Sequence, residues 1–489
     1  MSATEDAAAF DAVVVGCGIA GLAAAATLAE QGRRVAVLER AVPAERGGNT
    51  RWTEAFMRMK NEDEVSDDFA DHFMANAGWH LDPSLMAETG RPYEEWPALL
   101  KAHSFTDPEI VSTLVDQAGP TLRWLKGFGI RFSDMPTYLI TQSTTRICPV
   151  GGGLALVETL AAFAESRGAT IFYETTAQSL LQGEDGAIRG VVASDAGGRH
   201  RRFLAPAVVL GCGGFEGNAE MLARYYGTLS RYIRPVARGG YYNKGDGIRM
   251  ALALNAAPCG DYSEYHAEPI DPRSGQSEPI VFVFPYGILV NREGRRFVDE
   301  ASYTVDAIYE AISRLINRQT GGISWVICDA RLDEVPNWQR TVRSDQPPVT
   351  AATIGELAQK LGIAAGPLQA TVEAYNAATR PGRYDPLALD GLATVGLDPP
   401  KSNWARPIAA PPFRAWPIIS ANCFTFGGLR CNRDAQVLNT SGQPIAGLYA
   451  AGETMGIYYG RYTGATSVLR GAVFGRAAGL HIARSRNAG

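Results

Sequence analysis

The chain of 489 residues has no two cysteines in CxxC spacing; its seven, at 17, 148, 212, 259, 328, 423 and 431, are scattered. That scatter argues against a structural zinc, a cysteine-held iron–sulfur cluster and a disulfide framework, and leaves the thiols as reduced, buried small hydrophobes. There is no basic excess either. Lys and Arg number 46 against 51 Asp and Glu, a net charge of −5, so nothing in the balance attracts nucleic acid or an anionic membrane. The long apolar run PIVFVFPYGILV has 12 residues, two of them proline, where a membrane span needs about 20. The opening MSATEDAAAFD carries acids and lacks both a basic n-region and an apolar h-region, so it does not read as a secretory signal. The expectation is a cytoplasmic protein with no integral membrane segment. No internal repeat and no haem-attaching CxxCH occur.

What the sequence does contain is a nucleotide-binding device. In AFDAVVVGCGIAGLAAAATLAEQGRRVAVLER, residues 9–40, the apolar run 11–16 suits a buried parallel strand. Gly16, Gly18 and Gly21 follow in GxGxxG order: the first for the tight turn, the second for approach of a pyrophosphate, the third for close helix packing. A helix from about Ile19 to Gln31 presents its N-terminus, with Ile19 and Ala20, to the phosphates. Strand RVAVLE ends in Glu39, 18 positions beyond Gly21, where a carboxylate accepts hydrogen bonds from a ribose diol, with Arg40 beside it. A lone GxGxxG is a weak signal, but two strands, a helix and the acid together predict a bound dinucleotide. This segment does not choose between adenine and nicotinamide forms.

Three further glycine-rich stretches make that choice. In RGGNTRWT, Gly47, Gly48, Asn49 and Thr50 are placed for contacts with a diphosphate and the edge of a second ring system. AVVLGCGGFEG returns the chain to the nucleotide, with Gly213 and Gly214 after a strand at 207–211, and PIAGLYAAGETMG does so again with Gly452 and Glu453. A nicotinamide enzyme usually lets its cofactor leave, whereas repeated returns suit a tightly held flavin.

The length implies two or three packed units. The expected fold is α/β: a three-layer Rossmann-like FAD-binding domain, its parallel sheet carrying an antiparallel excursion at 178–210, plus an inserted α+β capping domain. Residues 1–258 form the first part of the FAD-binding domain, 259–372 the substrate-capping domain, and 373–489 the second part. Helical patterns in DEVSDDFADHFMANAGW and PEIVSTLVDQAGPTLRWLKGFG are inserted between elements of the nucleotide unit. The glycine- and proline-rich stretch 380–420 is expected to wrap over a surface or an interface.

The pieces VVVGCGIAGLAAA, ERGGNTRWT, VLGCGGFEGN, NREGRRFVDE, TFGGLRCNRDAQVLNTSGQPIAGLYAAGE and GATSVLRGAVFGRAAG resemble the FAD-dependent fumarate reductase/succinate dehydrogenase flavoprotein superfamily across essentially the whole chain. GGNTRW, FTFGGL and GATSVLRGAVFGR are most similar to its tricarballylate dehydrogenase branch. The resemblance implies FAD-dependent α,β-dehydrogenation of a polycarboxylate such as tricarballylate to cis-aconitate. The flavin-linking histidine of respiratory members is absent from RGGNTRWT, which implies non-covalent FAD.

Carried over residue by residue, the resemblance makes Arg296 of NREGRRFVDE the proton donor or acceptor, with Glu293, Asp299 and Glu300 as relay; simple surface pairing is the alternative. His266 binds a substrate carboxylate or fixes a loop. Arg461 lies at or one position before the family's second carboxylate-binding arginine, or holds the 380–420 wrap. The histidine expected before TxGG is replaced by Phe424, which makes a larger or less polar substrate plausible, with Thr425 still able to donate. Tyr458, Tyr459 and Tyr462 could clamp an enolised ketone or stack on the flavin. Ser467, Val468 and Leu469 begin a helix whose first backbone donors face the flavin N1 and O2. The alternatives are a flavin-dependent desaturase or reductase of a ketone, steroid-like or secondary-metabolite substrate, and a non-catalytic electron-transfer subunit. The expected partners are a small-molecule carboxylate or ketone and an electron acceptor that the sequence leaves unidentified.

Overall fold

The structure is a computed structural model that describes residues 8–76, 88, 91, 95–101, 105–134 and 146–485. Residues 1–7 of the acidic opening, and Ala77, Gly78 and Trp79 of the first helical pattern, lie outside the described residues.

In chain order, strand β1 (Ala12–Val15), helix α1 (Ile19–Glu30) and strand β2 (Val35–Leu38) form the opening unit, every residue of both strands being buried. Helices α2 (Pro108–Gly127) and α3 (Gly152–Ser166) precede β3 (Thr170–Phe172). The antiparallel excursion follows as Thr176–Gln182, Ile188–Ser194 and His200–Leu204, and β4 (Val208–Leu210) brings the chain back. The cap contributes β5 (Tyr265–Ile270), β6 (Ile288–Asn291), α4 (Val305–Asn317), β7 (Ile323–Cys328) and β8 (Phe413–Thr425). Strands β9 (Gln436–Leu438) and β10 (Pro444–Ala450) and helix α5 (Ser467–Ser485) complete the nucleotide unit.

The first sheet runs β9-β10-β4-β1-β2-β3, parallel except for β9. Helix α1 is buried from Ile19 to Ala29 because it is covered on more than one side. Gly471, Gly475 and Gly479 recur every fourth residue on α5 and face Ala20, Ala23, Ala24 and Thr27 of α1. A Cβ at Gly475 would collide with the Ala20 carbonyl oxygen, so this stripe lets the two backbones approach.

The cap sheet is antiparallel along β6-β7-β8, and β5 also pairs with β8. Here the expected boundary shifts. The chain does not rejoin the nucleotide unit at 373: Leu368, Val372, Tyr375 and Phe413 share a core with Ile288 and Ile327, and β8 is the central cap strand. The return comes after β8, where Phe426, Leu429 and Cys431 already belong to the nucleotide-unit core. Residue 373 falls inside the helix Ala365–Ala378, a continuity that the change of composition around 380 concealed. The stretch that follows wraps over the cap itself: Lys401, fully buried, donates to the Pro285 and Gly287 carbonyls at 2.7 and 2.8 Å.

Candidate active site

One cleft, about 1710 Å³ including its open mouth, runs from Glu39 at the end of β2 to His266 on β5. Its nucleotide end is made by turns. Gly16 has φ +101°, and a Cβ there would lie 2.5 Å from the Gly211 carbonyl oxygen. Gly18 has no neighbour closer than 3.6 Å to an added Cβ, so its backbone opens onto the cleft with Ile19 and Ala20. The Ile19 N–H donates to Thr50 Oγ1 at 3.1 Å, tying the start of α1 to the Gly47–Gly48 loop, whose glycines have φ +113° and +53°. Glu39 accepts from the Cys17 and Ala41 N–H groups at 2.9 and 2.8 Å, and burial raises its carboxyl. Arg40 is held by the Tyr242 carbonyl and Asp246 at 2.6 and 2.7 Å. Asn49, Gly213, Gly452, Glu453, Ser467 and Val468 also line the cleft.

Gly21, Gly214 and Leu469 do not line it and act behind the wall. A Cβ on Gly21 would meet the Gly16 carbonyl oxygen, and one on Gly214 would meet Thr425 and Glu453. Leu469 is fully buried in the nucleotide-unit core. The donor set fits FAD: open backbone at Gly18 and Gly48 for the diphosphate, Glu39 for the ribose, and an unpartnered buried Asn49 Oδ1 facing the same space.

The far end is built by the cap. In the β5–β8 register His266 stands opposite Phe424, with a bulge immediately after His266. The imidazole lies 4.4 Å from the Tyr462 ring, 5.1 Å from Phe424 and 5.8 Å from Tyr309, whose hydroxyl is 3.4 Å from Nε2. Glu268 approaches Nε2 to 3.7 Å and Glu310 approaches Nδ1 to 3.9 Å. Burial lowers the imidazole pKa, but the two carboxylates more than offset it and push the group up to about 9. His266 is therefore a cation at neutral pH. Glu278, pushed up to about 8 by burial and by Glu268 against Arg343 at 2.8 Å, lines the same wall. His266, Glu268 and Cys423 offer atoms within 4.8 Å of one another. Burial and Glu268 push the Cys423 thiol up, and a protonated imidazole donates instead of ligating.

Four expected catalytic residues lie outside the cleft lining. The Arg296 guanidinium is committed to Glu300 at 2.6 and 2.9 Å and to the Pro399 and Pro400 carbonyls at 2.6 and 3.0 Å. These bonds tie the guanidinium to Glu300 and to the wrap, and it does not line the cleft. The side chain of Arg461 belongs to an exposed residue beyond the cleft. Thr425 is fully buried, its N–H and hydroxyl both donating to Glu453 Oε1 at 2.7 and 3.1 Å. Tyr458 is buried beneath the wall, its hydroxyl 2.7 Å from Thr466 Oγ1, and Tyr459 bonds the Gly260 N–H at 2.9 Å. Of the three tyrosines only Tyr462 reaches the cleft, its hydroxyl accepting from the Thr466 and Ser467 N–H groups at 2.9 and 3.0 Å. Those are the first donors of α5, which the sequence had assigned to the flavin.

Reading along the chain missed Arg146, Glu268, Glu278, Tyr309 and Arg470, all in the cleft wall. Glu268 carried a signal, two residues after His266 in a strand. Glu216 was missed too: buried behind the wall, it accepts from Asn49 and Asn243, each at 2.6 Å, and burial and Glu453 hold its carboxyl well above its usual range.

Comparison with known proteins gives the family. A family model described as an FAD binding domain matches residues 11–469. A urocanate reductase of Eggerthella lenta is 29% identical, over 97% of this chain and 74% of that protein. The open conformation of a flavocytochrome c3 fumarate reductase superposes with a TM-score of 0.77 at 22% identity, over 98% of this chain and 79% of the other. A 3-ketosteroid-Δ4-(5α)-dehydrogenase from Rhodococcus jostii RHA1, in complex with 4-androstene-3,17-dione, superposes with a TM-score of 0.66 at 26% identity, over 97% of both chains.

Proposed function

The chain belongs to the FAD binding domain family, within the fumarate reductase/succinate dehydrogenase flavoprotein superfamily, and from that premise we propose that it desaturates or saturates a carbon–carbon bond next to a carbonyl on a ring-bearing substrate. The protein is an FAD-dependent oxidoreductase acting on CH–CH or C=C bonds. The observation that carries the finer reading is the composition of the cap end of the cleft, where His266 faces Phe424, Tyr462 and Tyr309 and neither Arg296 nor Arg461 enters.

FAD, when bound, supplies the acceptor or donor of a hydride in this cleft. The chain's own part is to place and polarise the substrate. The His266 imidazolium donates to the substrate carbonyl oxygen and stabilises the negative charge that develops there. Glu268 and Glu310 keep that cation charged, and Tyr309, 3.4 Å from Nε2, is the neighbouring hydroxyl through which its proton is exchanged. Phe424 and Tyr462 flank the ring and exclude water.

Dehydrogenation of tricarballylate is implied by the likeness of GGNTRW, FTFGGL and GATSVLRGAVFGR, and its mechanism calls on Arg296 and Arg461, which lie outside the cleft lining. Its three carboxylates would meet His266 and Arg146 as nearby cations, with Glu268 and Glu278 on the same lining. The test mixes the anaerobic holoenzyme with 4-androstene-3,17-dione, urocanate and tricarballylate, following the flavin band near about 450 nm in both oxidation states. A change with either ring compound and none with tricarballylate supports the proposal. A response to tricarballylate alone overturns it.

A further inference from the structure

Resting on that reading of the cap end as the substrate chamber, we propose that Arg146 is an anion anchor that selects ring-bearing substrates carrying one carboxylate. Arg146 precedes the strand Ile147–Pro149 and lines the cleft with His266 and Tyr462. Its guanidinium sits over the backbone of Gly464, where a Cβ would come within 3.2 Å of one terminal nitrogen, so that glycine leaves the arginine its place.

The other cations of the cleft have partners, and Arg470 shares with Arg146 a buried Nε without one. Arg40 is paired with Asp246, His266 lies between Glu268 and Glu310, and Arg470 donates to the Met455 carbonyl at 3.0 Å with its guanidinium over the Tyr458 ring. Arg146 has no carboxylate or carbonyl partner among the described residues, and its Nε is buried without one. The segment leading into it, 135–145, contains no acid. An arginine on the cleft wall with no counter-ion among the described residues is a site for a planar anion, because its fork matches a carboxylate.

The same chamber limits how many carboxylates can enter. Glu268 has a buried, unpartnered oxygen, and Glu278 lies close enough for their charges to interact. With Glu278 pushed up to about 8 and so mainly protonated at neutral pH, Glu268 is the carboxylate that a second carboxylate on the substrate would meet. The arrangement therefore accepts an anion on the Arg146 side, a ring among Tyr462, Phe424 and His266, and a neutral or hydrogen-donating group against Glu268.

Calorimetric titration of the oxidised holoenzyme tests this without turnover. Three probes share one skeleton: trans-cinnamate, its neutral amide, and 4-carboxycinnamate with a second carboxylate. The expected result is about tenfold or tighter binding of cinnamate over both others, loss of its advantage over the amide in Arg146→Met, and partial retention in Arg146→Lys. Glu268→Gln is expected to improve 4-carboxycinnamate selectively. Flavin content and spectrum report that each variant is folded. Equal binding of acid and amide, a preference that survives Arg146→Met, or no binding by any probe overturns the proposal. Failure of the redox test with ring compounds while the cinnamate preference stands would remove the proposed function and leave the anchor.

Discussion

At the scale of single residues, the cleft separates side chains that look alike in sequence. His266 and Phe424 face each other across two strands, so the loss of a family histidine at 424 leaves the remaining one against an aromatic wall. His266→Gln is expected to keep FAD and lower turnover by about 10²–10⁴-fold, since only the proton-bearing cation is lost. Because the folded-state pKa of His266 is raised to about 9 from 6.5, its charge stabilises the fold fully below about 6.5 and that contribution is lost as pH rises through about 9. The pH–rate profile of kcat should fall on the same alkaline limb; a limb near 6.5 would show that Glu268 and Glu310 do not hold the charge. The tyrosines separate in the same way. Tyr458→Phe should cost about 1 kcal/mol of stability, through the lost bond to Thr466, and leave kcat unchanged. Tyr462→Phe, which strips an acceptor from two N–H groups at the head of α5, should lower kcat. Steady-state kinetics beside thermal melts distinguishes the two.

At the scale of elements, the motif NREGRRFVDE works as a clasp. Arg296 and Glu300 are almost fully buried, and together they fasten the 399–400 backbone to the turn after β6. Removing one partner of a buried ion pair leaves the other charge uncompensated, at a cost of about 3–5 kcal/mol. Arg296→Met is therefore expected to lower the denaturant midpoint and the melting temperature strongly, while the folded fraction keeps its KM and kcat at low temperature. A folded, fully stable variant with no turnover would return Arg296 to the chemistry. The clasp was not legible in sequence because its acceptors, two main-chain carbonyls, lie more than 100 positions away. The glycine stripe on α5 was equally silent: Gly471, Gly475 and Gly479 mean something only once α1 lies against them.

At the scale of the whole molecule, the cap and the nucleotide unit meet along one cleft, and no helix among the described residues is long and apolar enough to cross a membrane. With no histidine in RGGNTRWT to form a covalent link, acid or heat unfolding followed by filtration should release all the flavin as free FAD; flavin retained on the denatured chain would contradict this. The sequence alone determined the nucleotide unit, because each of its devices is local: a strand, a glycine turn and a helix within 30 residues place Gly16, Gly18, Ile19 and Glu39 on one cleft through backbone geometry. Tertiary structure decided the chemistry at the other end. Arg146, His266, Glu268, Glu278, Tyr309 and Tyr462 come from segments more than 300 positions apart and meet only where the cap sheet closes on the nucleotide unit. Whether an arginine or a tyrosine points into that space or supports its wall depends on long-range packing, which no local spacing encodes.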